Sequence, residues 1–257
     1  MYRAGVFYIV VIWILLFIAI GTVLVYFSRK PVLSKRPVSK QSALIYKDIE
    51  IAEETENYGA EYLTTDISKP IVSGLSNVQF EKSLNDSIAG QISAAHNAAK
   101  EAAALFWQQA ESQGYTPWAY VFYANYSVKS ADRILSLKVM TLLDTGGPGL
   151  PSTAYYNIDI QKNKLIALSD LFSDDTYKEI INTIITNEMA KDTDRYFAAD
   201  SFTGVSNKTA FFICEGKLYI AFAKYQIASG MTGEPSFLIP NELILNIIAP
   251  EYMGLFK

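Results

Sequence analysis

The sequence predicts an α+β protein: an N-terminal transmembrane helix followed by antiparallel sheets packed with two main helices. Three observations carry that expectation. An uncharged apolar run occupies the start of the chain. Two later stretches repeat apolar residues at intervals of three and four, and the segments around them alternate with a period of two. Strand, helix, several strands, helix and several strands is the order of an α+β fold.

The apolar run, Ala4 to Phe27, has 24 residues without charge or proline. A helix of that length rises roughly 36 Å, enough to cross a hydrocarbon core of about 30 Å. Tyr2, Tyr8, Trp13, Tyr26 and Phe27 include aromatics near both ends, where rings favour the interface. A cleaved signal peptide has an apolar core of about 7–15 residues and then small residues. Ala19-Ile20-Gly21 is instead followed by more apolar residues. Residues 1–28 are therefore expected to be an uncleaved, single-pass anchor, embedded in the membrane through residues 4–27. Residues 29–42 read as a basic juxtamembrane linker. Arg29, Lys30, Lys35, Arg36, Lys40 and Lys47 precede the first acid, Asp48. By the positive-inside rule alone, the C-terminal body would be cytoplasmic.

Residues 48–257 carry 15 basic and 26 acidic side chains, a net charge of −11. Such a body does not suit nucleic acid, whose binding needs cations on phosphates, but it attracts cationic partners. Cys214 is the single cysteine, so no internal disulfide is possible.

From Ala43 to Ile51 and from Tyr58 to Ile67 two strands are expected, the second ended by Lys69-Pro70. Ser76 with Gln79 has capping-box form. A helix follows with the stripe Phe80, Leu84, Ile88, Ile92, Ala95, Ala99, Ala103, Phe106 and Ala110. Gly90 and His96-Asn97 suggest a bend, and Gly114 suits the stop. His96, the only histidine, has no second histidine or cysteine to share a metal with, so no metal site or cofactor is expected.

Tyr115 to Ser127 and Ile134 to Leu143 read as strands joined at Ser130-Ala131-Asp132. Gly146-Gly147-Pro148-Gly149 is a loop without the lysine of a phosphate-binding motif. Ala154 to Ile160 is a further strand, closed by a turn at Gln161 to Lys164. Asp170, Asp174 and Asp175 introduce a helix over Thr176 to Phe197, with core positions Ile180, Ile184, Ile185 and Met189. Thr209 to Ile213 and Lys217 to Phe222 flank the hairpin signal Glu215-Gly216. Strands at Tyr225 to Ile227 and Phe237 to Ile239 flank a turn from Gly230 to Glu234, and Pro240-Asn241-Glu242 opens a short last helix.

Several of these segments resemble the paired extracytoplasmic modules of the RsiV/PdaC type, found in a lysozyme-sensing anti-sigma factor of Gram-positive bacteria and at the front of a peptidoglycan deacetylase. The first module is matched by Pro70-Ile71-Val72-Ser73-Gly74-Leu75 leading into the Phe80–Ile88 helix, then by Ala119-Tyr120-Val121 and Ser136-Leu137. The second is matched by Tyr156-Asn157-Ile158-Asp159, Leu168-Ser169-Asp170-Leu171-Phe172, Leu218-Tyr219-Ile220-Ala221-Phe222 and Phe237-Leu238-Ile239-Pro240. The resemblance divides the body into a PdaC-like N-terminal module, 43–145, and an RsiV-like C-terminal module, 146–257. It implies an extracytoplasmic body at the cell membrane and outweighs the charge rule.

With three residues before the apolar run, no anti-sigma segment is expected ahead of it, and no deacetylase domain is expected after the modules. Asp132, Asp144, Asp159, Asp170 and Glu234 form no recognisable catalytic motif. The expectation is therefore a binding or sensing module rather than an enzyme. Its ligand would be cell-wall peptidoglycan or a cationic protein such as a lysozyme. The alternative is an envelope enzyme, or an accessory subunit, acting on cell-wall glycan. The partner-binding surface is expected at Gly146, Gly147, Tyr155, Tyr156, Tyr225 and Met231. In a strand Tyr155 and Tyr156 point to opposite faces, so one is expected in the core and the other as an exposed ring beside the glycine loop. The competing reading makes both loops simple turns with the second tyrosine packed beneath one of them.

Overall fold

A computed structural model describes residues 49–256. The expected anchor, the basic linker and the strand start at Ala43 lie outside the described residues. Among the described residues no helix is long and apolar enough to cross a membrane.

The largest element is a six-stranded sheet in the order β1-β2-β3-β4-β5-β6. Its first two strands, β1 (Glu50–Gly59) and β2 (Leu63–Ser73), form a hairpin. The turn at Ala60–Tyr62 falls inside the stretch expected to be one strand, and β2 continues through Pro70. Proline is tolerated there because β2 pairs with β3 only from Leu63 to Ile67, so the strand's far side is open at Pro70. Farther along, Asn85 takes a neighbouring strand's role: its Oδ1 accepts from the Val72 N–H at 2.9 Å and its Nδ2 donates to the Val72 carbonyl at 2.7 Å.

Helix α1 (Val78–Ser112) crosses from β2 to β3 (Tyr120–Ala131). Asn77, not Ser76, caps it, its side-chain oxygen accepting from the N–H groups of Gln79 and Phe80. It runs unbroken through Gly90 and His96, because the packed apolar stripe outweighs their weak propensity. Leu84, Ile88, Ile92, Ala99 and Ala103 are buried along that stripe. At the stop, Gly114 has φ +76, and the Tyr115 N–H reaches the Ala110 carbonyl at 2.9 Å.

The crossing makes β2 and β3 parallel, from Leu63 opposite Tyr120 to Ile67 opposite Ala124. The sheet is therefore mixed rather than antiparallel throughout: a helical crossover returns the chain to the same end of the sheet. Strands β4 (Ile134–Asp144), β5 (Ser152–Asp159) and the two-residue β6 (Lys164–Leu165) add antiparallel pairs. Residues 115–119 are not strand.

A second sheet holds β7 (Phe211–Cys214), β8 (Lys217–Ala221) and β9 (Ser236–Ile239), all antiparallel. The β7–β8 turn is left-handed at both Glu215 (φ 51) and Gly216 (φ 69), as a tight hairpin requires. Helix α2 (Thr176–Lys191) packs on this sheet and ends six residues before Phe197. Its buried face is Tyr177, Ile181, Ile185 and Met189; Ile180 and Ile184 sit beside that face, half-buried. The expected stripe was off by about one position at its start. Tyr225–Ile227 is a turn, and α3 (Asn241–Ile244) follows Pro240 as expected.

The six-stranded sheet thus has two covered faces. Leu135, Leu137, Val139, Tyr156 and Ile158 meet α1 in one core. On the other face, Ser136 and Asn157 reach β7 through a buried bridge: Asn157 Nδ2 donates to the Phe211 carbonyl at 2.8 Å, and the Ile213 N–H donates to Ser136 Oγ at 3.2 Å.

Candidate functional site

Of the expected site residues, Gly146, Gly147, Tyr225 and Met231 lie on two loops that Lys224 ties together, and Tyr155 and Tyr156 lie on β5. Asp144, at the end of β4, accepts the Gly146 N–H at 2.8 Å. Gly146 has φ +87, and a Cβ there would meet Trp118 Nε1 at 3.6 Å; that indole donates to the Thr145 carbonyl at 3.2 Å. Lys224, beyond the second sheet's strand β8, clamps the loop, its Nζ donating to the carbonyls of Pro148 and Gly149, each at 2.7 Å. Lys224 was not among the expected residues. A lone lysine before a tyrosine carries no local signal of a contact 76 residues away.

Next to that clamp, Tyr225 is held in the left-handed region at φ 69. A bulky residue there stores strain, which collects at functional sites more than elsewhere. Its ring lies on Gly230, where a Cβ would come within 2.4 Å of Tyr225 Cε1, and Lys224 Nζ sits 5.3 Å from the ring centroid. Tyr225 is half exposed, and Met231 is fully exposed at 100 %. Trp118 also stands out at 55 %.

Tyr155 and Tyr156 do point to opposite faces, but neither is a bare ring. Tyr156 is buried against α1, its hydroxyl donating to Gln91 Oε1 at 2.6 Å. Tyr155 stacks on Phe212 (centroids 5.3 Å, planes 10° apart), which stacks on Tyr219 at 4.8 Å. The expectation of one exposed ring fails because the second sheet covers the face opposite α1. Burial, reinforced by the Glu234 carboxylate, pushes the Tyr155 phenol up to about 12.

Behind the loops Tyr155 and Thr153 line a cleft of about 390 Å³. Its other walls include Lys208, Phe222, Gln226 and Glu234. Glu234 is 13 % exposed, and its Oε2 accepts from Lys138 Nζ at 2.8 Å. Glu234 Oε1 and Thr153 Oγ1 are buried without a hydrogen-bond partner. Cleft and loops share one segment, since Gln226 Oε1 accepts the Ala223 N–H at 3.0 Å beside Lys224. A wider depression on α2, flanked by Asp175, Glu179 and Thr183, is more open and lined by exposed or half-buried side chains.

Two other polar groups are tied into the structure. Asp159, fully buried, accepts from Tyr252 and Arg133 and from two backbone N–H groups. His96 Nε2 is hydrogen-bonded to Tyr58 Oη at 2.8 Å and to Thr65 Oγ1 at 3.2 Å, and burial lowers its pKa. Among the described residues no three His, Cys, Asp or Glu side chains gather as metal ligands would.

Comparison with known proteins bears on this geometry. Residues 56–147 match the family described as "Deacetylase PdaC". Residues 169–242 match "Protein of unknown function (DUF3298)". The anti-sigma-V factor RsiV of Bacillus subtilis (strain 168) is 26 % identical over 231 residues, 85 % of this chain and 75 % of RsiV. The chain carries RsiV/PdaC-type modules. The DUF3298 match holds the second sheet, Lys224, Tyr225, Met231 and Glu234; the PdaC match holds α1, Trp118 and Lys138. Two solved structures share the fold. A DUF3298 family member from Bacteroides fragilis aligns with TM-score 0.61 at 17 % identity, covering 81 % of this chain and 97 % of its own. A DUF3298 family protein from Pseudomonas aeruginosa aligns with TM-score 0.50 at 16 % identity, covering 81 % and 96 %.

Proposed function

We propose that this chain is a membrane-anchored binding and sensing protein of the cell envelope, held by residues 4–27 with its body outside the cytoplasmic membrane. In this reading the body comprises a PdaC-like module, 43–145, and an RsiV-like module, 146–257. The observation that carries it is the similarity to an anti-sigma-V factor through both modules rather than through one. The loop end of the body is its binding face: Gly146 and Gly147 beside the Lys224 clamp, with Tyr225 and Met231 presented outward. The ligand is peptidoglycan or a cationic protein such as a lysozyme. A net charge of −11 over residues 48–257 favours the cationic partner, and half-exposed rings such as Trp118 favour a glycan.

The competing reading, an enzyme or accessory subunit acting on cell-wall glycan, draws on the description of the family matched by residues 56–147. Retention of the full-length chain on insoluble peptidoglycan and on lysozyme-coupled beads tests the proposal. Retention on either matrix is expected. Release of acetate from peptidoglycan, with retention on neither, would favour the enzyme.

A further inference from the structure

We infer that the cleft beside Tyr155 is a pocket for a neutral, hydroxyl-bearing ligand of saccharide type, held through Glu234 and Thr153. This rests on reading the body as a binding module and names the chemistry of one of its ligands. The starting point is a mismatch. Native interiors pair nearly all their buried polar atoms, yet Glu234 Oε1 and Thr153 Oγ1, on two residues lining the same cleft, have no partner. Each lone acceptor is costly; both atoms are closed to solvent in the free protein, so a donor in the cleft recovers that cost as the two side chains turn toward it.

The surrounding charges fix what kind of donor is accepted. Glu234 is already neutralised by Lys138 at 2.8 Å, so a second cation has no full negative charge to meet. It would also meet Lys208 on the wall. An anion brings only acceptors, whereas Glu234 Oε1 needs a donor. A hydroxyl or amide N–H answers both: it donates to Glu234 Oε1 and exchanges a hydrogen bond with Thr153. Tyr155 and the buried Phe222 supply the apolar walls on which the C–H face of a sugar ring packs. At about 390 Å³ the cleft falls at the lower end of the roughly 300–1,000 Å³ of ligand pockets. It opens beside the strained Tyr225 segment, so an occupant would touch the loops of the proposed binding face.

The test is saturation-transfer NMR on the full-length chain in a sugar-free detergent. The probes are N-acetylglucosamine (neutral), glucosamine as its ammonium form, and glucuronate. Transfer to N-acetylglucosamine is expected to exceed transfer to either charged sugar. Thr153→Val should weaken it by about three- to tenfold, the worth of one neutral hydrogen bond. The melting temperature should not fall, because the lost hydroxyl has no partner in the free protein. Glu234→Gln should also weaken binding. No transfer from the wild type, a preference for a charged sugar, or unchanged binding in Thr153→Val would overturn the pocket. So would a loss of binding in Thr153→Val that tracks a loss of stability. Retention on peptidoglycan or lysozyme beads without any transfer overturns the pocket alone; absence of both also removes the binding reading.

Discussion

Replacing Asp159 by alanine tests how the C-terminal end of the chain is fastened to the main sheet. The carboxylate is fully buried at the end of β5. It accepts the N–H groups of Gln161 at 3.0 Å and Lys162 at 3.1 Å, which fixes the turn into β6. Its other oxygen accepts from Tyr252 Oη at 3.0 Å and Arg133 Nη2 at 3.2 Å. Arg133 also donates to the Glu251 carbonyl, so three segments meet at one side chain. Removing one partner of a buried ion pair costs about 3–5 kcal/mol, since the other charge is left unpaired. Against a total stability of about 5–15 kcal/mol, that is a large share. Tyr252→Phe removes a single donor and should cost about 1.5–3 kcal/mol, the worth of one hydrogen bond to a charged group. Urea unfolding of the full-length chain, followed by tryptophan fluorescence, measures both. If Asp159→Ala cost no more than Tyr252→Phe, the carboxylate would not be the fastening point.

Other outcomes follow from the same structure. Leu84→Ala, at a site 2 % exposed on the α1 stripe, should cost about 2–5 kcal/mol. Lys82→Ala, whose side chain is 69 % exposed, should cost well under 1 kcal/mol; equal small effects in thermal melts would contradict the buried face. The Tyr155 phenol keeps its proton up to about 12 in the fold, while the unfolded chain releases it near 10. Its contribution is therefore intact below pH 10 and lost as pH climbs from 10 through 12; Tyr155→Phe should flatten part of the alkaline fall in melting temperature, and an unchanged slope would count against it. For topology, an alkaline phosphatase reporter fused after Lys257 should be active, and activity only from a cytoplasmic reporter would place the body inside.

Where the physics is local, the sequence was enough. The α1 stripe, the left-handed stop at Gly114 and the Glu215-Gly216 hairpin each rest on neighbours a few residues apart, and each formed where the pattern put it. Strand partners are not local. Period two says that Leu63–Ile67 and Tyr120–Ala124 are strands but not that they run parallel. The acid-rich Glu53-Glu54-Thr55-Glu56 carries no alternating apolar signal of a strand. It sits on the edge strand β1, where its charges stay in solvent and Lys69 pairs with Glu54 and Glu56. The candidate site divides in the same way. Glycines and aromatics marked the two loops, but the Lys224 clamp and the inward turn of Glu234 depend on contacts 76 and 96 residues away. The second sheet's cover over Tyr155 is equally remote from the strand that carries it.

If the loop end of the body holds an envelope ligand, two single substitutions there should abolish retention. Met231→Asp alters a fully exposed side chain, and Tyr225→Ala removes a half-exposed ring while relieving the strained backbone little. Full-length wild type, Met231→Asp and Tyr225→Ala are passed over peptidoglycan and lysozyme-coupled beads, with melting temperatures recorded in parallel. Wild type should be retained on at least one matrix, and both variants should lose retention there at an unchanged melting temperature. Variants retained as well as wild type would contradict binding at the loop end.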